Sequence, residues 1–206
     1  MRVGAAVVLT VVVVLVAEVA AVLAVRASGM VNVSAIGRPG SLERFLLGGV
    51  ADRSVARHAT PVQIDASDPA LLATGLRAYN AQCVVCHGAP GLADGPIGRG
   101  LNPPAPHLWS RGTQHMTDGE IRWVVQNGIR MTGMPAFGPT QSEEQIRALV
   151  AFVRQMPSLG NAGYLARAQE SGLTVPLSSA APTGTGGAGQ HPDGAGTTPA
   201  PGQERR

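Results

Sequence analysis

The stretch "CVVCHGAP" holds the only two cysteines of a 206-residue chain, Cys83 and Cys86, followed directly by His87. Four chemistries compete for such a cluster. A disulfide between the two cysteines would close a tiny loop and restrain little of the unfolded chain. A redox dithiol of the thioredoxin kind wants a βαβ setting. A zinc site needs two further ligands, and His107 and His115 are spaced unlike a zinc finger. The pattern C-x-x-C-H is also the attachment motif for a c-type haem. Its spacing follows from that chemistry. Two thiols one helical turn apart reach two vinyl groups on one porphyrin edge, and the next residue lies beneath the ring, where an imidazole meets the iron. His87 occupies that position, and no other cysteine competes.

A haem bound by His87 alone would be open to O₂, CO or peroxide, so a second axial ligand has to be sought. Met116, Met131, Met134, Met156, His107 and His115 are the candidates. In "RMTGMPAFG", Gly133 removes side-chain bulk where backbone must approach a ring, and Pro135 keeps Met134 out of a helix. Met134 is the expected ligand and Met131 its competitor. Met116 and Met156 read as core filler. The two histidines remain outside candidates for a bis-imidazole haem.

The elements that must position these groups are helical. "DPALLATGLRAYNAQC" opens on a capping Asp68 with Pro69 at the first helical position. "TDGEIRWVVQNG" carries a capping box of Thr117 and Glu120 and ends at Gly128, and "SEEQIRALVAFVRQMP" carries another of Ser142 and Gln145, with Pro157 as its stop. No alternating strand pattern appears, so the domain over 68–160 is expected to be all-α. The Gly/Pro-rich loop between the first two helices is long for a compact domain unless something functional organises it.

Residues 1–27 read as a membrane anchor, since Val3–Val25, broken only by Glu18, makes a helix of about 35 Å against a hydrocarbon core of roughly 30 Å. A cleaved signal peptide is the competing reading, with Ala24 or Ala27 as the last residue removed. Residues 28–67 read as a tether. "SLERFLLGGV" within it places Leu42, Phe45, Leu46 and Val50 at helical spacing, either on the membrane surface or packed on the domain. Residues 161–206, rich in Pro, Gly and Thr, read as a flexible tail. The formal charge is +3 and every basic residue is Arg, but the charges are scattered, which argues against nucleic-acid binding.

"GLRAYNAQCVVCHGAPG" followed by a helix and "NGIRMTGMPAFG" resembles the class I cytochromes c, and an N-terminal anchor with one haem domain resembles their membrane-bound bacterial members. The resemblance implies a small all-α fold wrapped around one covalent haem c, with thioethers at Cys83 and Cys86, His87 as proximal ligand and Met134 as distal ligand. It implies that Gly75, Tyr79 and Phe152 meet where the terminal helices cross. A proline carbonyl, from Pro103 or Pro104, would accept the other ring N–H of His87. Trp109 or Arg130 would bond a propionate, and Trp123 would lie in the core. The implied role is an electron carrier rather than an enzyme, working with redox partner proteins at the inner membrane, its haem domain on the periplasmic side. Two alternatives remain: the haem subunit of a larger dehydrogenase or oxidase complex, and a haem enzyme or gas sensor with a labile sixth position.

Overall fold

The computed structural model describes residues 2–37, 40–47, 49–92 and 94–175. They fall into two units, one up to Gly37 and one from Arg38 onward. The first contains helix α1, Arg2–Ser28. Its Val3–Ser28 stretch is long and apolar enough, by length and composition, to cross a membrane.

The second unit contains α2 (Ser41–Leu47), α3 (Val50–His58), α4 (Pro69–Gln82), α5 (Val84–His87), α6 (Pro96–Gly100), α7 (Arg111–His115), α8 (Asp118–Asn127) and α9 (Glu143–Glu170). Among the described residues there is no strand beyond one isolated bridge between Ala89 and Leu92. The helix starts are as their local sequence dictates. Asp68 accepts from the Ala70 N–H at 2.8 Å, and both capping boxes close reciprocally. These caps satisfy backbone donors that a helix start would otherwise leave orphaned.

The frame of the unit is the crossing of α4 over α9. At Gly75 a Cβ would stand 2.1 Å from the Ala148 carbonyl oxygen and 2.7 Å from Phe152 Cβ, so only glycine lets the two backbones approach this closely. Beside it Tyr79 and Phe152 pack with ring centroids 5.4 Å apart. The Tyr79 hydroxyl donates to the Gly88 carbonyl at 2.6 Å, tying this seam to the segment just past His87.

Both expected domain edges shift outward. The helix does not stop at Pro157. It turns at Gly160, whose φ of 60° lies in the left-handed region, and resumes to Glu170. The residues beyond, assigned to a flexible tail, begin with core. Tyr164 is fully buried, packs edge-on against Tyr79 at 6.0 Å, and donates to Asn80 Oδ1 at 2.9 Å. Asn80 in turn donates to the Thr174 carbonyl at 2.9 Å. Positions 176–206 of that tail lie outside the described residues.

At the other edge, residues 50–64 are part of the domain rather than tether. Val55 of α3 is buried, His58 stacks on Trp123 at 6.0 Å, and the Ile64 N–H donates to Asp118 Oδ2 at 3.0 Å. Gly119 opens α8 for this strap, since a Cβ there would meet the Thr60 carbonyl at 2.2 Å. Trp123, expected in the core, is only half-buried.

Candidate functional site

The cysteine motif is a single helical turn. The Cys86 and His87 N–H groups both donate to the Cys83 carbonyl, at 3.1 and 2.9 Å. The turn ends at Gly88, whose φ of 65° favours glycine. Cys83 and Cys86 are not bonded to each other. Burial pushes the Cys83 thiol up to about 12, and Cys86 beside it adds to the rise; burial raises Cys86 as well. A redox dithiol or nucleophile needs the opposite shift, toward thiolate.

His87 is 9% exposed. Its Nδ1 lies 2.7 Å from the Pro106 carbonyl, so that nitrogen carries the proton and Nε2 keeps its lone pair. Burial holds the imidazole below its usual value, more strongly than the Pro106 bond raises it, which favours the neutral ring a metal requires. The accepting proline is Pro106, not Pro103 or Pro104. The loop's geometry decides this, and counting along the sequence could not. Asn102–Pro103 is a cis peptide.

The loop around Pro106 is pinned from several sides. Gln114 donates to the Leu108 carbonyl at 2.7 Å and the Val153 carbonyl at 3.0 Å. Arg154 donates to Asp118 Oδ1 at 2.7 Å, to the Gln114 carbonyl at 3.0 Å and to the Met116 carbonyl. His107 stacks on Trp109 at 4.5 Å and pairs with Asp94 at 2.9 Å. Short helices α6 and α7 fill much of what reads as an irregular segment. Gly98 of α6 lies so close that a Cβ would meet the Cys86 carbonyl at 2.3 Å.

The methionine loop folds back on the end of α8. The Ile129 N–H donates to the Met134 carbonyl at 3.2 Å, and the Phe137 N–H to the Val125 carbonyl at 3.1 Å. Gly128 permits the approach, for a Cβ there would lie 2.7 Å from the Met134 oxygen. Thr132 holds Met134 directly. Its hydroxyl donates to the Ile129 carbonyl at 2.7 Å and accepts from the Met134 N–H at 3.1 Å.

Cys83, Cys86, His87 and Met134 line one predominantly apolar cavity of about 270 Å³. Met131 is 91% exposed and not part of its wall. Met116 does line the wall, and Met156 is fully buried in the core. His107, His115, Trp109 and Arg130 lie outside the lining. Gly133 faces Leu101, whose Cδ2 would stand 2.4 Å from a Cβ, and Leu101 is itself a wall residue. Two wall features were not legible in the sequence. Ala51, Asp52 and Val55 bring α3 into the lining, and Gln82 presents a buried Oε1 with no hydrogen-bond partner among the described residues.

These residues fit a c-type haem. Two un-ionised thiols, a neutral imidazole with its far nitrogen already bonded, a thioether on another loop and a greasy wall make the donor set such a group needs.

An all-α unit in which α4 and α9 cross at a glycine, and whose C-x-x-C-H turn and methionine loop share one cavity, has the architecture of a class I c-type cytochrome domain. Residues 70–153 match the family model described as cytochrome c oxidase, cbb3-type, subunit III. A comparison with curated proteins finds no match.

Proposed function

We propose that the chain is a membrane-tethered monohaem electron carrier, its haem joined covalently to Cys83 and Cys86, with His87 and Met134 as axial ligands. The observation that carries this is the shared cavity: both thiols, the imidazole and Met134 line it, and of the two methionines in the ligand loop the competing Met131 is exposed. When bound, the haem supplies a one-electron Fe(II)/Fe(III) couple.

The chain's own residues do the rest. Pro106 fixes the tautomer and plane of His87. Thr132 and Gly128 fix the backbone of Met134, which would keep its thioether available to a bound haem. A methionine paired with histidine raises the potential relative to two nitrogen ligands and suits a carrier feeding an oxidase. The apolar wall excludes water, which keeps small the reorganisation that accompanies transfer. Helix α1 would hold this domain at the inner membrane, on the periplasmic side, within reach of a donor dehydrogenase or quinol oxidoreductase and an acceptor oxidase or reductase.

A second reading makes the chain a subunit of a larger oxidase, and the family match favours it. Purification in mild detergent separates the two. A carrier comes away alone, whereas a subunit stays with an integral membrane partner at fixed stoichiometry. The central test precedes both. After denaturation in acidified organic solvent the haem should remain with the polypeptide, and the native ferrous protein should not bind CO. Haem lost to the organic phase refutes the attachment. Ready CO binding moves the enzyme or sensor reading ahead.

A further inference from the structure

Helix α2 has no core to join. Within its seven residues, Leu42 is 67%, Phe45 82%, Leu46 59% and Leu47 63% exposed, and Val50 at the start of α3 is exposed too. Outside α1 and its link, the only other exposed large apolar residues among those described are Ile97 and Met131, each isolated in sequence. The link shares the character of α2: Met30, Val31, Val33 and Ile36 are all exposed. An apolar run this dense is costly to leave in water and marks an interaction surface.

We propose that α2 lies in the membrane surface, its leucines and Phe45 sunk into the headgroup–acyl boundary, so that the haem domain is docked on lipid rather than swinging from a free tether. This rests on the reading of α1 as an uncleaved anchor. Three observations select lipid as the occupant. Residues 29–40 separate α1 from α2, and twelve residues reach at most about 43 Å when extended, which keeps α2 at the membrane α1 would cross. A seven-residue helix is only about 10 Å long, far too short to span, which leaves the interface. Positions 38–58 carry Arg38, Arg44, Arg53 and Arg57 against Glu43 and Asp52, a balance that favours anionic headgroups.

The docking would have a consequence for the haem. Only Gly48 and Gly49 separate α2 from α3, and α3 contributes Ala51, Asp52 and Val55 to the cavity wall. A surface-bound α2 therefore turns the α3 side of the haem cavity toward the bilayer and leaves the remaining edge for redox partners.

The test uses the full-length holoprotein in phosphatidylcholine vesicles containing a minor fraction of phosphatidylglycerol. In that protein the native thiols are occupied by haem, so a single added cysteine takes the spin label. Labels at Phe45→Cys, at Val14→Cys in α1 and at the exposed Glu144→Cys of α9 are read by collision with O₂ and with a water-soluble nickel chelate. The expected result is a label at 45 lying about 5–10 Å below the headgroup plane. The label at 14 should lie deeper and the one at 144 in water. A deep label at 14 with an aqueous label at 45 overturns the proposal and leaves the anchor standing; the apolar run then belongs to a protein partner. An aqueous label at 14 refutes the anchor and the proposal with it.

Discussion

Met131 and Met134 share one loop and meet opposite environments. Met131 is exposed with a φ of 63°, while Met134 lines the cavity and is held through Thr132. Met134→Ala should therefore open the sixth position: the ferrous protein gains CO binding and its potential falls. Met131→Leu should leave the CO spectrum unchanged and stability within about 0.5 kcal/mol, as for most surface substitutions. Thr132→Val keeps the shape of the loop and removes the hydroxyl, so it should give partial CO binding, between wild type and Met134→Ala. A spectrum unaltered by Met134→Ala, together with one altered by replacing Met116 or a histidine, would reassign the ligand. The motif residues were legible because their chemistry is local: C-x-x-C-H fixes its own spacing, and Gly133 and Pro135 flank the methionine that faces inward. Pro106 was not legible, since which of several prolines meets His87 depends on how the whole loop folds. Nor was Thr132, whose role comes from a hydrogen bond rather than from a pattern.

At the scale of elements, the α4–α9 crossing carries the architecture and gives the clearest stability prediction. Gly75→Ala would place a methyl against the Ala148 carbonyl, where backbone cannot yield without spreading both helices. It should cost roughly 1–3 kcal/mol or more, read as a lower denaturant midpoint at unchanged slope. Tyr164→Phe should cost about 1–3 kcal/mol, because it leaves the Asn80 carbonyl oxygen buried without its donor. A chain ended at Gly160, where the sequence suggests the domain is complete, would lose Tyr164 and Ala168 from the core. It should unfold well before one ended at Val175. Helix starts were readable from four residues each, since a capping box is a contact within one turn. The end of α8 at Gly128 was readable too, but that of α9 was not, because Pro157 reads as a stop while the chain turns at Gly160 and brings buried residues back onto α4. The α3 segment was missed for a similar reason. Its single buried valine gives no periodic signal, and its packing depends on Gly119, far along the chain.

For the whole molecule, the question is how much of partner encounter is electrostatic. Within 68–160 seven arginines face six acids, and two of the arginines are already paired. Arg154 is bound to Asp118 at 2.7 Å inside the fold, and Arg122 forms a two-pronged pair with Glu143 at 2.7 and 3.0 Å. Haem propionates would add negative charge to a domain already close to balance. Steering needs a field of one sign that extends past the Debye length, which falls from about 30 Å at 0.01 M salt to about 8 Å at 0.15 M. A domain this balanced has little long-range field to lose, so its bimolecular electron-transfer rate with a small soluble oxidant should change only slightly across that range. A rate that falls tenfold or more would show that the arginines gather on one face around the haem edge, and would make a strongly acidic partner surface the expected match.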